Sequence, residues 1–225
     1  MKTLHLNDRV SFLKPVFLQL EKNLKQYGQA FEWSELPYFF NERATVSLVQ
    51  AASWQANLLA IEEYVTTKYG AKNKRGKGRC DIYIAEKTGH QEIEFEAKQK
   101  WPTLKLRPDS VKKWLKKGDE DANRNRDTEV QASLTFVVPK IRIGAKNEDH
   151  IALVNKIVEK ALEAGIDGLH FWTSPESWKH ESPDRAKGIP YRWPSLITLI
   201  RIAKVRGEKP SVLKANRLPI STSIT

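Results

Sequence analysis

The sequence predicts an α/β protein built on a mixed central sheet, and three observations carry that prediction. From Arg43 onward the patterning reads helix, hairpin, helix, strand, helix, strand, the alternation of a sheet covered by helices. The second hairpin arm, residues 90–99, alternates cleanly: Ile93, Phe95 and Ala97 face one side, Glu92, Glu94, Glu96 and Lys98 the other. Third, 225 residues with 40% hydrophobic content suffice to bury a continuous core.

The elements follow in order. Residues 10–27 place Val10, Leu13, Phe17, Leu20 and Leu24 at helical spacing, with Pro15 in the first turn, where its missing N–H is harmless. Residues 32–41 are aromatic, contain Pro37 and read as a connector. A long helix is predicted over 43–69: at about 100° per residue, Trp54, Leu58, Ile61 and Val65 share a stripe, Glu62 sits at its edge and Glu63 points away. Residues 70–79 (GAKNKRGKGR) read as a basic loop with no acidic residue. Strands are predicted over 79–85 and 90–99, joined by Lys87-Thr88-Gly89 as a hairpin turn. A charged helix is expected over 110–125, a β run over 132–143 interrupted at Pro139, a regular helix over 149–164 stopped by Gly165, and a strand over 166–173. Beyond Ser174 the chain is rich in Pro, Trp and charge, with one short helix near 195–205 and a frayed tail. The predicted organisation is an N-terminal helical extension (1–42), an α/β core of about four to five strands with flanking helices (43–174), and a C-terminal extension (175–225).

Composition narrows the function. With 38 Lys and Arg against 27 Asp and Glu, the net charge is +11, which favours a polyanionic partner, and nucleic acid is the commonest one in cells. Cys80 is the single cysteine, so internal disulfides and Cys-pair zinc sites are excluded, and a cytosolic setting is expected. Asp8 and Arg9 interrupt the first apolar residues, so no export is expected. The apolar stretch 193–205 carries Arg201 and Lys204 and is shorter than the roughly 20 residues of a membrane span, so no membrane partner is expected. Residues 70–78 fail the spacing of a phosphate-binding P-loop, and no G-x-S-x-G occurs. His5, His90, His150, His170 and His180 have no metal-site spacing.

The chemistry concentrates on Asp81 in one predicted strand and Glu96-x-Lys98 in the next, with Glu62 upstream. Side chains two apart on a strand share a face, so Glu96 and Lys98 project together, and Asp81 reaches the same end of the sheet. Two carboxylates with a third nearby make an oxygen-rich site of the kind that Mg²⁺ or Mn²⁺ accepts. Such an ion polarises a phosphoryl oxygen and lowers the pKa of bound water, while an adjacent Lys orients that water. Phosphodiester hydrolysis is the chemistry implied. The plain alternative is that Glu92, Glu94, Glu96 and Lys98 are the solvated face of an amphipathic strand. Against it stands the cost of a carboxylate row in a central, helix-covered strand without cations.

This pattern resembles the PD-(D/E)xK, or restriction-endonuclease-like, nuclease superfamily over roughly residues 43–173. The resemblance implies a helix-β-β-β-helix-β core, a Glu on the first helix, an Asp on the second strand and the (D/E)xK triplet on the third. Carried over, Glu62, Asp81, Glu96 and Lys98 form the active site, Asp81 and Glu96 bind Mg²⁺ or Mn²⁺, and Gln99 is a supporting or substrate-facing polar residue. Cys80 stands where the pattern's name has Pro. The family's first strand should fall near 70–77, a polar, basic stretch of poor strand propensity. Either it is a short edge strand blunted by Lys, or the element assignment is off by one.

Lys72, Lys74, Arg75, Lys77 and Arg79 run straight into the Asp81 strand and are candidates for gripping phosphates beside the metal. Lys112 and Lys113, with Lys116 and Lys117, form a second basic cluster that serves equally as a solvated helix face. Trp101, Trp114, Trp172, Trp178 and Trp193 suit stacking on unpaired bases or ordinary packing. The leading expectation is a divalent-metal-dependent DNA endonuclease, with double-stranded DNA as partner and a homodimer if both strands are cut. The alternatives are a non-catalytic nucleic-acid-binding module of the same fold, and a nuclease specific for RNA or for DNA junctions.

Overall fold

Helical spacing and strand alternation sort the apolar residues into two cores, one on each face of a seven-stranded sheet. The computed structural model describes residues 2–69, 75–125, 127–174, 182–184 and 189–220. The chain opens with β1 (Lys2–Leu6), a 3-10 helix (Asp8–Leu13), α1 (Lys14–Ala30), α2 (Pro37–Phe40) and α3 (Glu42–Gln55). There follow β2 (Leu59–Tyr69), β3 (Arg75–Ala85), β4 (Glu92–Lys100), α4 (Ser110–Ala122), β5 (Val130–Val137), β6 (Ile141–Arg142) and α5 (Asn147–Ala164). The rest is β7 (Gly168–Thr173), β8 (Ser182–Asp184), β9 (Ile189–Arg192), β10 (Ser195–Val205) and α6 (Pro210–Ala215). The main sheet has the order β1-β7-β10-β5-β4-β3-β2, with β4 and β5 parallel and every other pair antiparallel. A small sheet, β6-β9-β8, stands apart from it.

The mixed α/β class is as expected, with seven strands in place of four to five. On one face α1 and α3 bring Leu20, Leu24, Val46 and Val49 against Ile82, Ile93, Phe95 and Phe136. On the other, α4 and α5 bring Leu115, Ile157 and Ala161 against Val137, Leu169, Phe171 and Leu199. Pro15 lies in the first turn of α1, Gly165 ends α5 at φ +77°, and Gly89 takes φ +72° in the β3–β4 turn, each as the sequence predicts. No described helix is long and apolar enough to cross a membrane.

Three expectations are corrected. The helix predicted over 43–69 is α3 followed by β2. Asn41 caps its start, its side chain accepting from Ala44 N at 2.9 Å, and Asn57 ends it at φ +66°, a conformation Asn tolerates. Beyond Asn57 the β-branched and aromatic run through Thr67 and Tyr69 favours a strand, and the supposed helical stripe is not one buried face: Leu58 is buried, but Trp54, Ile61 and Val65 are all at least half exposed. The basic loop over 70–79 is in its second half a strand, because Arg75 to Arg79 pair with β2. This β2–β3 ribbon supplies the strand that seemed missing. Finally, the short helix near 195–205 is β10, which lies between β7 and β5 near the middle of the sheet. A strand covered by helices on both faces reads as a continuous apolar run, so its periodicity does not distinguish it from a helix. The segments before 43 and after 174 each contribute a strand to the main sheet, β1 and β10.

His150 on α5 gives the fold an acid weakness. It is 3% exposed, its Nε2 lies 2.8 Å from Ser195 Oγ, and burial pushes its pKa down from 6.5 to about 4. The unfolded chain therefore binds a proton that the fold excludes. This group's stability is complete above the ordinary histidine pKa and is lost as pH falls from about 6.5 to 4, by about 3 kcal/mol in all. Urea unfolding across that interval is expected to show a shallower acid loss for His150→Gln than for the parent.

Candidate active site

Strand β4 outruns its partner. β3 pairs with it only from Ile82 opposite Phe95 to Ala85 opposite Glu92, while β4 continues to Lys100 alongside β5. Two carboxylates finish the abandoned ladder, satisfying N–H groups that would otherwise lack partners. Asp81 Oδ2 accepts from Ala97 N at 2.7 Å, and Glu42 Oε2 accepts from Gln99 N at 2.8 Å. The second oxygen of each makes no hydrogen bond among the described residues.

A kink positions the rest. The β2–β3 ladder skips the Glu63–Asp81 pair, and Glu63 holds φ +54°, a strained left-handed conformation for a residue with a side chain. Alternation inverts there. Before it, Ala60 and Glu62 face α3, where Glu62 accepts from Ser47 Oγ at 3.2 Å. After it, Tyr64, Thr66 and Lys68 face the opposite side and reach the carboxylates of β4. Glu94, fully buried, accepts from the hydroxyls of Tyr64, Thr66 and Thr128. Glu96, 4% exposed, accepts on Oε1 from Lys68 Nζ at 2.6 Å and from Asn125 Nδ2 at 3.0 Å. Lys98 Nζ donates to the Ala97 carbonyl at 2.6 Å and lies 3.6 Å from Asp121 Oδ2 on α4. Glu94 and Glu96 are thus interior acids, each held by donors.

The cluster is electrically coupled. Burial pushes the carboxyls of Glu42, Asp81 and Glu96 above their ordinary range. The Ala97 N–H, Lys98 and Lys68 pull Asp81 partly back, while Glu63 pushes it up; Lys68 and Asn125 pull Glu96 back, while Asp81 pushes it up. Lys98 likewise opposes the rise at Glu42, so its charge is felt by both carboxylates that cap the end of β4.

Of the residues singled out in the sequence, Asp81, Glu96 and Lys98 are brought together at the point where β3 parts from β4. Glu62 is on β2 and not on a helix; it lines a cleft of about 220 Å³ with Glu42, Arg43, Ser47, Glu63 and Asp81. Gln99, expected as a supporting or substrate-facing residue, does not face a substrate and is buried. It is 5% exposed, accepts from Thr45 Oγ1 at 2.6 Å and donates to the Tyr38 carbonyl at 2.8 Å, tying α3 to β4 and so holding Glu42 in place. Lys72 and Lys74 lie outside the described residues. Arg75 and Lys77 are exposed on β3, and Arg79 lies 3.4 Å from Glu63. Lys112 and Lys113 are exposed on α4, Lys113 paired with Asp109 at 2.5 Å. They stand about two turns or more from Asp121, which touches Lys98.

Sequence reasoning missed Glu42, Lys68 and Asn125. For Glu42 a signal existed: Asn41-Glu42 is a helix cap followed by first-turn acid. For the other two none did, because only the kink and the turn after α4 bring them to Glu96.

Among the described residues no three Asp, Glu, His or Cys side chains stand close enough to hold an ion. A divalent cation that keeps several waters needs only one or two carboxylates. Asp81 and Glu96 fit that donor set: both are desolvated, each has an oxygen without a hydrogen bond among the described residues, and Asn125, which donates to Glu96, has a buried Oδ1 without a donor. No family model, curated protein or solved structure matches the chain.

Proposed function

We propose that the protein is a divalent-metal-dependent endonuclease that hydrolyses DNA phosphodiester bonds on a restriction-endonuclease-like core. The observation that carries this reading is the meeting of Asp81, Glu96 and Lys98 at the parting of two neighbouring strands, in desolvated surroundings. The order α3-β2-β3-β4-α4-β5 supports it, being the helix-β-β-β-helix-β order that the sequence resembles. In that comparison the helix acid is Glu42, not Glu62.

Asp81 and Glu96 would hold Mg²⁺ or Mn²⁺, which when bound polarises a phosphoryl oxygen and acidifies a water. Lys98 orients that water and offsets the charge growing on the phosphate. Glu42 and Glu62 line the approach, and Glu42 keeps the end of β4 fixed. Arg43, Arg75, Lys77 and Arg79 sit on α3 and β3 beside the cleft or along the same ribbon, where they draw the DNA backbone towards it. With one site per chain, cutting both strands of a duplex favours a two-fold dimer.

A second reading is favoured by one observation: Glu96 is already neutralised by Lys68, as in a protein that keeps the groove without the reaction. It predicts salt-sensitive nucleic-acid binding that is indifferent to Asp81→Asn. Plasmid nicking separates the two. The enzyme is expected to nick with Mg²⁺ or Mn²⁺ and to stop with a chelator; absence of nicking on duplex, single-stranded, branched and RNA substrates alike contradicts it. Cleavage should also have an acid limb. Metal-binding carboxylates must be ionised, and burial favours the protonated form of Asp81 and Glu96, so protons compete with the metal and the acid limb should move to lower pH as Mn²⁺ is raised. A pH–rate profile whose acid limb does not move with Mn²⁺ concentration counts against them.

A further inference from the structure

Lys68 is unaccounted for by the proposed reaction, yet three features of the fold serve its placement. The strained Glu63 at φ +54° inverts β2, which turns Lys68 towards β4. Gly78 on β3 clears its path, since a Cβ there would stand 2.5 Å from Lys68 Cδ and 2.6 Å from Cγ. A glycine inside a strand weakens it and commonly marks such a close approach. The segment after α4 pins the backbone, with Tyr69 N donating to the Arg124 carbonyl at 2.9 Å and Lys68 bridged to Asn125. The outcome is a single ion pair, Lys68 Nζ to Glu96 Oε1 at 2.6 Å, in which Glu96 is 6% and Lys68 23% exposed by side chain. Buried pairs of this kind return little net stability for the desolvation they need, so stability alone is a poor reason for three concessions.

Resting on the metal-dependent reading, we propose that Lys68 is a resident counter-cation: it neutralises and positions Glu96 while no divalent ion is bound and is displaced from Glu96 when one enters. Three facts fit. Glu96 Oε1 is taken by Lys68 and Asn125, whereas Oε2 makes no hydrogen bond among the described residues. The ammonium also acts on Asp81, so one charge offsets both metal-binding carboxylates. The buried, donor-less Asn125 Oδ1 lies beside the same carboxylate, an acceptor suited to the water shell of an incoming cation. Competition of two cations for one carboxylate is a coupling between binding events, and it weakens metal affinity by the factor that the lysine contributes. The role is positioning and gating, not contact with the phosphate.

Calorimetric titration with Mn²⁺ in the absence of nucleic acid tests it. Lys68→Met is expected to bind Mn²⁺ roughly tenfold more tightly than the parent, and its thermal midpoint to rise more on adding Mn²⁺. Lys68→Arg, which keeps a cation, should stay near the parent affinity. Gly78→Ala, which keeps the lysine but blocks its path, should shift affinity in the direction of Lys68→Met and serves if that variant folds poorly. Equal or weaker Mn²⁺ binding in Lys68→Met and Gly78→Ala overturns the counter-cation role while leaving the metal site intact. No Mn²⁺ binding in any of the four proteins overturns it together with the metal-dependent reading.

Discussion

Lys98→Ala is expected to lose roughly 10²- to 10³-fold in DNA cleavage, the usual cost of removing one preorganised charge stabiliser, while retaining DNA almost as well as the parent. The split follows from where the ammonium sits. Lys98 is 22% exposed, held by the Ala97 carbonyl and near Asp121, and its charge reaches both Asp81 and Glu42. It is therefore placed for the reacting phosphate and contributes little to gripping the length of a duplex, which falls to the exposed cations of β3. Truncation leaves Asp121 paired with Lys117 at 3.1 Å, so α4 keeps an anchor and folding should survive. Cleavage by Lys98→Ala at the parent rate removes this residue from the chemistry. Loss of DNA retention in parallel with cleavage would make it a binding residue.

Asp81→Asn is expected to cost more, about 10³-fold or beyond, because it removes one of the two anionic ligands proposed for the metal, and several kcal/mol of charge stabilisation converts to that factor. The substitution is close to isosteric. Its carbonyl oxygen can still accept from Ala97 N, now at 2.7 Å, so the end of β4 stays capped and the kink persists. Burial already disfavours the charged form of Asp81, and a neutral side chain at that position should leave the apo protein as stable as the parent or more so. A variant that is stable and inactive, and whose Mn²⁺ response has gone, separates chemistry from folding. A variant that is stable and fully active would instead place the metal elsewhere.

Much of the site was legible because a strand writes its faces into the sequence. Glu96 and Lys98 are two apart and face one way, and Asp81 falls one register step beyond the last paired residues. What the sequence hid has specific causes. Leu58, Ile61 and Val65 fall at spacings of three and four, the mark of a helix, yet the last two are exposed on an edge strand. The kink at Glu63 leaves no compositional sign, since left-handed φ is expected at Gly or Asn. Without it neither Lys68 nor the true place of Glu62 can be derived. In β10, burial on both faces erased the alternation. Gln99, polar and next to the triplet, reads as a surface residue, and only the approach of α2 and α3 makes it an internal clamp.

A crystal soaked in Mn²⁺ and measured for anomalous scattering tests the central claim most directly. The expected result is a peak between Asp81 and Glu96, with the Lys68 ammonium withdrawn from Glu96. A map with no peak there, Lys68 still paired with Glu96 at saturating Mn²⁺, would contradict a metal-dependent reaction at this site.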